Sequence, residues 1–287
     1  MIHLFALLSL LLCGVCYTGF QNSSHFHNTS NRRSLLLLVF GGALLLRLLL
    51  AYTTHGFSND IACFAAWADR IFTLGPGQFY SAEMFTDYPP GFMYVLYLIG
   101  ALRSLLQIPY YSDLHILLLK SPAILCDIAC GFLLYREAVK RLHFSDLQGI
   151  FAASAYLFQP AVILNSSCWG QVDSVYTLMI ILMCLFLMKG NLLPAYAVYG
   201  LGVLLKPQML IFTPVLLAGI WDHVFLQDFS WRKFFYNLCG GLVVICGMLL
   251  LCAPFGLTAA ISQYTSTLGS YEYAAINAYN FWGLLGM

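Results

Sequence analysis

The feature that most constrains this chain is a series of long, unbroken apolar runs separated by short polar segments. A helix that crosses a bilayer needs about 20 apolar residues. The runs are continuous and rich in leucine, whereas the strands of a membrane β-barrel alternate apolar and polar residues. We therefore predict an all-α, polytopic membrane protein with about 7–9 membrane segments. The candidate spans are 2–20, 34–52, 89–107, 114–135, 148–165, 174–188, 192–206, 207–221 and 238–255.

The composition excludes two other classes of protein. Hydrophobic residues make up 61% of the 287 residues and charged residues only 9%, whereas a soluble domain carries about 25% charged residues. A water-soluble monomer is therefore excluded, and the lipid bilayer is an expected partner. The formal net charge of +1 gives no electrostatic reason to bind nucleic acid. Most cysteines lie inside apolar runs, where they pack as small hydrophobic residues, so we expect no metal site.

Lysine and arginine residues in the loops predict the orientation, because cytoplasmic loops are enriched in both. The basic clusters lie at 32–33, 136–141 and 232–233. Placing them in the cytoplasm puts four polar segments on the other side, namely 53–88, 165–173, 206–208 and 256–287. One conflict remains open: two full crossings at 89–107 and 114–135 break the parity between the first two clusters. Either one run does not cross, or one cluster is misplaced.

The first of these polar segments contains an amphipathic helix with an acid in its first turn. Ser58 and Asn59 are predicted to cap a helix that starts near Asp60, continues to Phe72 and is ended by the glycines and proline at 75–77. The helix dipole favours the ionised carboxylate there, and an ionised aspartate suits the role of a base. The alternative is that Asp60 only caps the helix.

Further polar residues stand at the ends of apolar runs. Asp87 and Tyr88 precede two prolines, whose restricted backbone would hold both side chains at the membrane face. The alternative is an ordinary turn at a helix start. Trp169 is typical of a membrane interface, but Gln171 and Asp173 beside it are costly in hydrocarbon.

Two basic residues offer a similar choice of roles. Lys206, followed by Pro207 and Gln208, interrupts what would otherwise be one apolar stretch from 192 to 221. Its ammonium group either reaches the headgroup region or binds a phosphate at the mouth of a cavity. Arg47, near the outer end of its run, either reaches the interface or pairs with an acid of a loop.

The ordered set of these motifs resembles the polytopic GT-C glycosyltransferases. The match is closest to bacterial proteins related to the second mannosyltransferase of GPI-anchor synthesis (the PIG-V type). More distantly, the chain is similar to the dolichyl-phosphate-glucose-dependent glucosyltransferases, which share the segment Asp87-Tyr88-Pro89-Pro90. The resemblance covers about residues 34–287. Its other motifs are Asp60 with Phe64 and Trp67, the segment Trp169-Gly170-Gln171-Val172-Asp173-Ser174, and Lys206-Pro207-Gln208.

The resemblance implies an inverting transfer of a sugar, mannose or another hexose, from a polyprenyl-phosphate carrier to a glycan, lipid or protein acceptor outside the cytoplasm. It implies Asp60 as the catalytic base and Lys206 as the cation for the departing phosphate. The donor is itself a substrate, so no cofactor is expected, and Asn59 replaces an acid that the family often has, which argues against a metal. The other implied substrate-binding residues are Asp87, Tyr88, Trp169, Gln171, Asp173, Gln208 and Arg47.

We expect two parts in the chain. Residues 1–33 are a hydrophobic segment, either a span or a signal, with a cytoplasmic linker. Residues 34–287 are the GT-C transmembrane module, with 53–88 as its extracytoplasmic catalytic loop. The chain stops inside the apolar stretch 280–286, so we expect the module to be incomplete at its C-terminus. The membrane would be the plasma membrane in a bacterium or the endoplasmic reticulum in a eukaryote.

Two other functions are compatible with the sequence. One is a non-catalytic homologue or subunit of a membrane complex. The other is a transporter or flippase of a lipid-linked sugar, for which internal repeats and charges within broken helices are expected. We find no repeat, and the acidic motifs stand at the ends of runs, so we favour the enzyme.

Overall fold

The computed structural model describes residues 10–12, 14–15, 17–19, 32–80, 85–227 and 229–269. Every regular element within these ranges is helical, which confirms the predicted all-α class. Most of the first predicted run, and the apolar stretch 280–286, lie outside the described residues. The helices are α1 (Arg32–Thr53), α2 (Ser58–Leu74), α3 (Pro90–Leu105), α4 (Asp113–Lys140), α5 (Asp146–Leu157), α6 (Pro160–Trp169), α7 (Asp173–Met188), α8 (Leu192–Leu205), α9 (Pro207–Leu226), α10 (Trp231–Phe255) and α11 (Leu257–Gly269).

Four of these helices, α1, α4, α9 and α10, are long and apolar enough to cross a bilayer. A fifth crossing is possible by length if α5 and α6 count as one span, although the two are bent by 51° where they meet. The bend lies just before Pro160, whose ring cannot fit inside a straight helix. α7 and α8 are apolar but shorter, with 16 and 14 residues. The long apolar helices indicate a helical membrane protein.

The helix ends gather at two ends of the bundle. At the upper end, Lys120 of α4 donates hydrogen bonds to the carbonyls of Thr54, which follows α1, and Ser167 of α6. At the same end Lys206, which follows α8, pairs with Asp173 at the start of α7. The upper end therefore collects the ends of α1, α6 and α8 with the starts of α4 and α7.

The opposite, lower end collects the three basic clusters. The contacts that bring them together are the ion pair of Arg32 with Asp146, the hydrogen bond of Arg141 with the Met188 carbonyl, and the cavity shared by Asn191 and Lys233. Each polar motif of the sequence that is described by the structure, apart from Arg47, lies at the upper end. The two sets are thus separated by the length of the bundle.

α3 packs along α2 instead of crossing the bundle. The rings of Phe64 and Phe92 lie 5.7 Å apart near the start of the two helices, and Arg103 pairs with Asp69 further along. Both helices are amphipathic, so that one face of each packs in this contact and another face packs on the bundle. The α2–α3 pair forms a layer across the upper end.

Both ends of α3 belong to the upper end. Gly91 packs against the end of α8, where an added Cβ would lie only 2.5 Å from the carbonyl oxygen of Leu204. A short loop, residues 106–112, connects the end of α3 to the start of α4. The Tyr111 amide in this loop donates a hydrogen bond of 3.0 Å to Nδ1 of His115 in α4. This arrangement favours the alternative that the run 89–107 does not cross, and in that case the parity conflict between the first two basic clusters disappears.

Candidate functional site

A cavity of about 220 Å³ lies under the α2–α3 layer at the upper end. Four segments that are separate in sequence contribute to its wall, and six of the predicted catalytic or substrate-binding residues lie on it. Since no local pattern brings these segments together, their meeting is a property of the tertiary structure. The lining residues are Asp60, Cys63, Phe64, Trp67, Phe85, Asp87, Tyr88, Gln171, Lys206 and Gln208.

Asp60 lies in the first turn of α2, as predicted, but the cap of the helix differs from the prediction. The helix begins at Ser58, and no side chain caps it. Instead, the backbone amide of the preceding residue, Phe57, donates a hydrogen bond of 2.8 Å to the carbonyl of Trp169. The predicted cap by Ser58 and Asn59 is therefore not formed, and the contact of Phe57 with Trp169 fixes the position of Asp60 relative to Trp169.

Two donors hold the carboxylate of Asp60 through one of its oxygens. Trp169 Nε1 donates to Oδ2 over 2.9 Å, and Gln171 Nε2 donates to the same oxygen over 2.5 Å. Within the described ranges, Oδ1 has no hydrogen-bond partner. Hydrogen bonds to a charged acceptor are stronger than neutral ones and restrict its orientation. One oxygen is thereby fixed and the other remains available to a ligand.

The turn between α6 and α7 places these two donors. Residues Leu164–Trp169 are wound as a π-helix, and Gly170 follows in the left-handed region with φ of 89°. An added Cβ on Gly170 would meet Ile61 of α2 at 2.6 Å. The amides of Gly170 and Gln171 both donate to the carbonyl of Asn165 over 3.0 Å. The left-handed backbone therefore favours glycine here, and the end of the Ile61 side chain would have to move to admit a Cβ.

Tyr88 forms the aromatic wall of the cavity. Its ring lies 5.6 Å from the rings of Phe64 and Trp67 and 5.4 Å from that of Phe92. Its hydroxyl group donates to Gln171 Oε1 over 3.5 Å. Pro89 is extended and α3 starts at Pro90, so the two prolines stand at a helix start, as both alternatives from the sequence expected. The wall is built by packing of the α2–α3 layer and then tied to the turn that holds Asp60.

The carboxylates of Asp87 and Asp60 both affect the pKa of one thiol, that of Cys63. Cys63 lines the cavity one turn after Asp60. Burial raises the pKa of the Cys63 thiol, and the carboxylates of Asp87 and Asp60 raise it further by repelling the thiolate. Both carboxylates are therefore close enough to this cavity to influence the ionisation of one of its side chains.

Lys206 makes an ion pair with Asp173 in this structure. Its ammonium nitrogen also lies 5.7 Å from the ring of Tyr88 and 5.6 Å from the ring of Tyr176, distances compatible with cation–π attraction. The other carboxylate oxygen of Asp173 accepts a hydrogen bond of 2.9 Å from Asn165. The lysine therefore points into the protein, toward the cavity, and does not extend to the headgroup region. Asp173 contacts a lining residue without lining the cavity itself.

Arg47 is placed away from the cavity. Its side chain is fully buried, and its Nε donates to Asp127 Oδ2 over 3.0 Å inside the bundle. The expected alternatives were the membrane interface or an acid of a loop, and the structure shows neither, because Asp127 belongs to α4. The structure gives Arg47 no contact with the residues that line the cavity.

Two buried charged residues of α4 were not predicted from the sequence. Asp127 accepts hydrogen bonds from Arg47 and from three hydroxyl groups, and Lys120 donates to the carbonyls of Ala51, Thr54 and Ser167. They lie seven residues, or about two helical turns, apart, and therefore on one face of the helix. The sequence signal that identifies them is an ionisable side chain inside an apolar run, here the run 114–135.

The chain has no match among known protein families or curated proteins. In the described part of the chain, no group of three histidine, cysteine, aspartate or glutamate side chains is arranged to hold a metal ion. The chemistry of the site is therefore inferred from the cavity at the upper end and the residues that line it.

Proposed function

We propose that this chain is a membrane glycosyltransferase of the GT-C type. It transfers a hexose from a polyprenyl-phosphate carrier to an acceptor hydroxyl group with inversion at the anomeric carbon. The observation that carries the proposal is the held carboxylate of Asp60, one oxygen fixed by Trp169 and Gln171 and the other without a partner among the described residues, in a cavity that Lys206 also lines.

Asp60 would act as the general base. Its Oδ1 accepts the proton of the acceptor hydroxyl group as the acceptor oxygen attacks the anomeric carbon. The bond from that carbon to the phosphate oxygen breaks, and the phosphate leaves with the electron pair. Correct placement of a base contributes about 10²–10⁴ to the rate of such a step. The two hydrogen bonds to Oδ2 support this role because they restrict the orientation of the carboxylate.

Lys206 would stabilise the charge that grows on the leaving phosphate. A phosphate replaces Asp173 as its partner when the donor binds. The cation is already buried to about nine-tenths and oriented toward the cavity, with 11% of its side chain exposed. The exchange of one anionic partner for another therefore needs no large movement of the lysine.

The remaining residues would bind the sugar. Trp169 has 45% of its surface exposed, which leaves ring area for stacking on a sugar. Gln171, Tyr88 and Asp87 supply groups that form hydrogen bonds with hydroxyl groups. The donor carries its own phosphate and lipid, so the reaction needs no cofactor. The acceptor is a glycan, lipid or protein hydroxyl group.

The upper end would face the extracytoplasmic side, since all three basic clusters lie at the lower end. A cysteine introduced at Ser58 or Gln171 is then labelled by an impermeant reagent in intact cells. A cysteine at Lys140 or Lys233 is labelled only after permeabilisation. Labelling of position 171 only from the cytoplasm would reverse the orientation and would separate the cavity from its proposed face.

The test is transfer from a synthetic short-chain polyprenyl-phosphate sugar, with a nucleotide sugar as the alternative donor. Asp60→Asn is expected to lower the rate by about 10²–10⁴ without changing membrane insertion. Asp113→Asn is a matched control, because Asp113 is an exposed acid at the same end of the bundle. Equal rates for the wild type and Asp60→Asn, or use of the nucleotide sugar, would contradict the proposal.

One observation favours a transporter as the second candidate. The break between α5 and α6 lies close to the buried charges of Arg47 and Asp127, and transporters place charges at broken helices. A transporter moves the lipid-linked sugar across the membrane without consuming it. The same assay in sealed vesicles distinguishes the two functions, because only an enzyme releases the unglycosylated carrier phosphate.

A further inference from the structure

A second polar cavity lies at the lower end, away from Asp60. Its volume is about 610 Å³, within the range of about 300–1,000 Å³ that is usual for ligand sites. Its walls come from the last turns of α4, the residues just after it, and the turn between α7 and α8. The lining residues are Arg136, Glu137, Lys140, Arg141, His143, Met188 and Lys189.

This cavity has an excess of positive charge. Four of its side chains are cationic and one is anionic, which leaves a formal charge of +3 with His143 neutral. The carboxylate of Glu137 is shared by Arg136, at 2.7 Å, and Lys189, at 3.8 Å. Within the part of the chain that the structure describes, Lys140 and Arg141 make no ion pair, although Arg141 lies near enough to Glu137 to interact electrostatically with that carboxylate. The charge of the cavity is therefore balanced only in part.

Arg141 is held in place for a ligand by a contact between two elements. Its Nη2 donates a hydrogen bond of 3.1 Å to the carbonyl of Met188, at the end of α7. Its Nη1 is buried and has no hydrogen-bond partner in the described ranges. Basic residues at a helix C-terminus are often explained by the helix dipole alone. The contact with Met188, the last residue of α7, fits that explanation, but the unpartnered Nη1 donor is not accounted for by it.

We propose that this cavity binds the phosphate of an anionic phospholipid. Phosphate oxygens are strong acceptors for arginine and lysine, and basic pockets between helices at a membrane surface bind such headgroups. α4 is long and apolar enough to span a bilayer and ends at Lys140, so the cavity lies at the level of the lipid phosphates. Leu142 and Met188 are both 57% exposed beside it and provide apolar surface for the lipid chain.

The site is independent of the proposed sugar transfer, and its test is a binding experiment. The purified full chain is titrated in mixed micelles with phosphatidylglycerol, with phosphatidylcholine or with inorganic phosphate. Lipid retained by the protein is counted by native mass spectrometry, and the melting temperature is followed in parallel. We expect phosphatidylglycerol to be retained and to raise the melting temperature, and the other two ligands to have little effect.

Two pairs of substitutions remove the same charge from the lower end. Lys140→Gln with Arg141→Gln is expected to weaken phosphatidylglycerol binding by about tenfold or more, since each nearby basic residue contributes about fivefold. Arg33→Gln with Arg232→Gln is the matched control, and we expect a change below about twofold. Lys140→Gln alone is the second variant, in case the double variant does not fold, because Lys140 is exposed and its side chain makes no hydrogen bond or ion pair in the described structure.

Three results would overturn the assignment. Equal weakening by both pairs would mean general attraction to an anionic surface without a site. Retention of phosphatidylcholine as strong as that of phosphatidylglycerol would remove the role of charge. Inorganic phosphate that stabilises the protein as much as the lipid, and displaces it, would identify a free phosphate site in place of a lipid site.

Discussion

Arg47 and Asp127 form an ion pair of 3.0 Å with both side chains fully buried between α1 and α4. Asp127 accepts three more hydrogen bonds, from Ser166 over 2.6 Å, Ser174 over 2.5 Å and Tyr156 over 3.2 Å. Ser166 and Ser174 stand on either side of the turn that carries Trp169 and Gln171. One carboxylate therefore ties five helices together and supports the turn that holds Asp60.

Asp127→Asn is expected to destabilise the protein strongly. It leaves the charge of Arg47 buried without a counter-charge, which typically costs about 3–5 kcal/mol. The measurement is thermal or denaturant unfolding in detergent, with the exposed Asp113→Asn as the control. Replacing both partners, as in Arg47→Met with Asp127→Leu, is expected to recover only part of the loss, because the hydroxyl groups of Ser166, Ser174 and Tyr156 then lack their acceptor. A stability unchanged in Asp127→Asn would show that the pair contributes nothing to folding.

Trp169→Phe tests the hydrogen bond to Asp60 while keeping an aromatic ring beside Phe57, which lies 5.0 Å away between ring centroids. A hydrogen bond to a charged group is worth about 1.5–3 kcal/mol. We therefore expect kcat/KM for sugar transfer to fall by about tenfold to 100-fold, because Asp60 is then held by Gln171 alone. Trp231→Phe, at the lower end, is the control and should be neutral. Equal activity of both variants would exclude a role for the Trp169 hydrogen bond.

Substitutions at Lys206 and Asp173 distinguish two roles of Lys206, namely binding of the donor phosphate and a purely structural ion pair. If Lys206 binds the donor phosphate, Lys206→Ala raises KM for the donor and lowers kcat. Lys206→Arg rescues only part of the activity, because a planar fork replaces a compact ammonium group. Asp173→Asn leaves Lys206 without its carboxylate partner, so we expect donor binding to be retained or strengthened. If the ion pair is only structural, Lys206→Ala and Asp173→Asn would weaken donor binding to the same extent.

The thiol of Cys63 reports on the cavity without any assay of activity. Burial and the carboxylates of Asp87 and Asp60 raise its pKa, so the reactive thiolate forms only at a higher pH than for an ordinary cysteine. Asp87→Asn removes one repelling charge and lowers that pKa. Alkylation at Cys63, followed by peptide mass spectrometry, should then become faster at a fixed pH near 8, with Asp113→Asn unchanged. An unchanged rate in Asp87→Asn would place that carboxylate too far from the cavity to act.

The elements of the fold could largely be predicted from the sequence. The helix with Asp60 was predicted to reach Phe72 and extends to Leu74, and the glycine at 75 ends it. The run 148–165 was predicted as one helix, although Pro160 breaks it into α5 and α6. These features depend on residues within a few positions of each other, and such local rules are visible in a sequence.

The packing of the polar residues could be predicted only in part. The motifs around Asp60, Tyr88, Gln171 and Lys206 were identified as a set because of their order and their resemblance to a family. That Gln171 holds Asp60, 111 residues away, was not predictable, nor was the pairing of Lys206 with Asp173. A side chain finds its partner through the packing of whole helices, and this packing has no local pattern.

The sequence by itself determined that this is an all-helical chain suited to a membrane, because the runs are too apolar for water and too continuous for a barrel. It also marked some helix ends, such as Gly75 after α2, whereas Pro122 lies inside α4 without ending that helix. Only the tertiary structure decided that α3 lies along α2 and that Arg47 pairs with Asp127. An apolar run has the same sequence whether it crosses a bundle or lies across its end, and a buried charge has the same sequence whichever helix neutralises it. The difference lies in the contacts between helices.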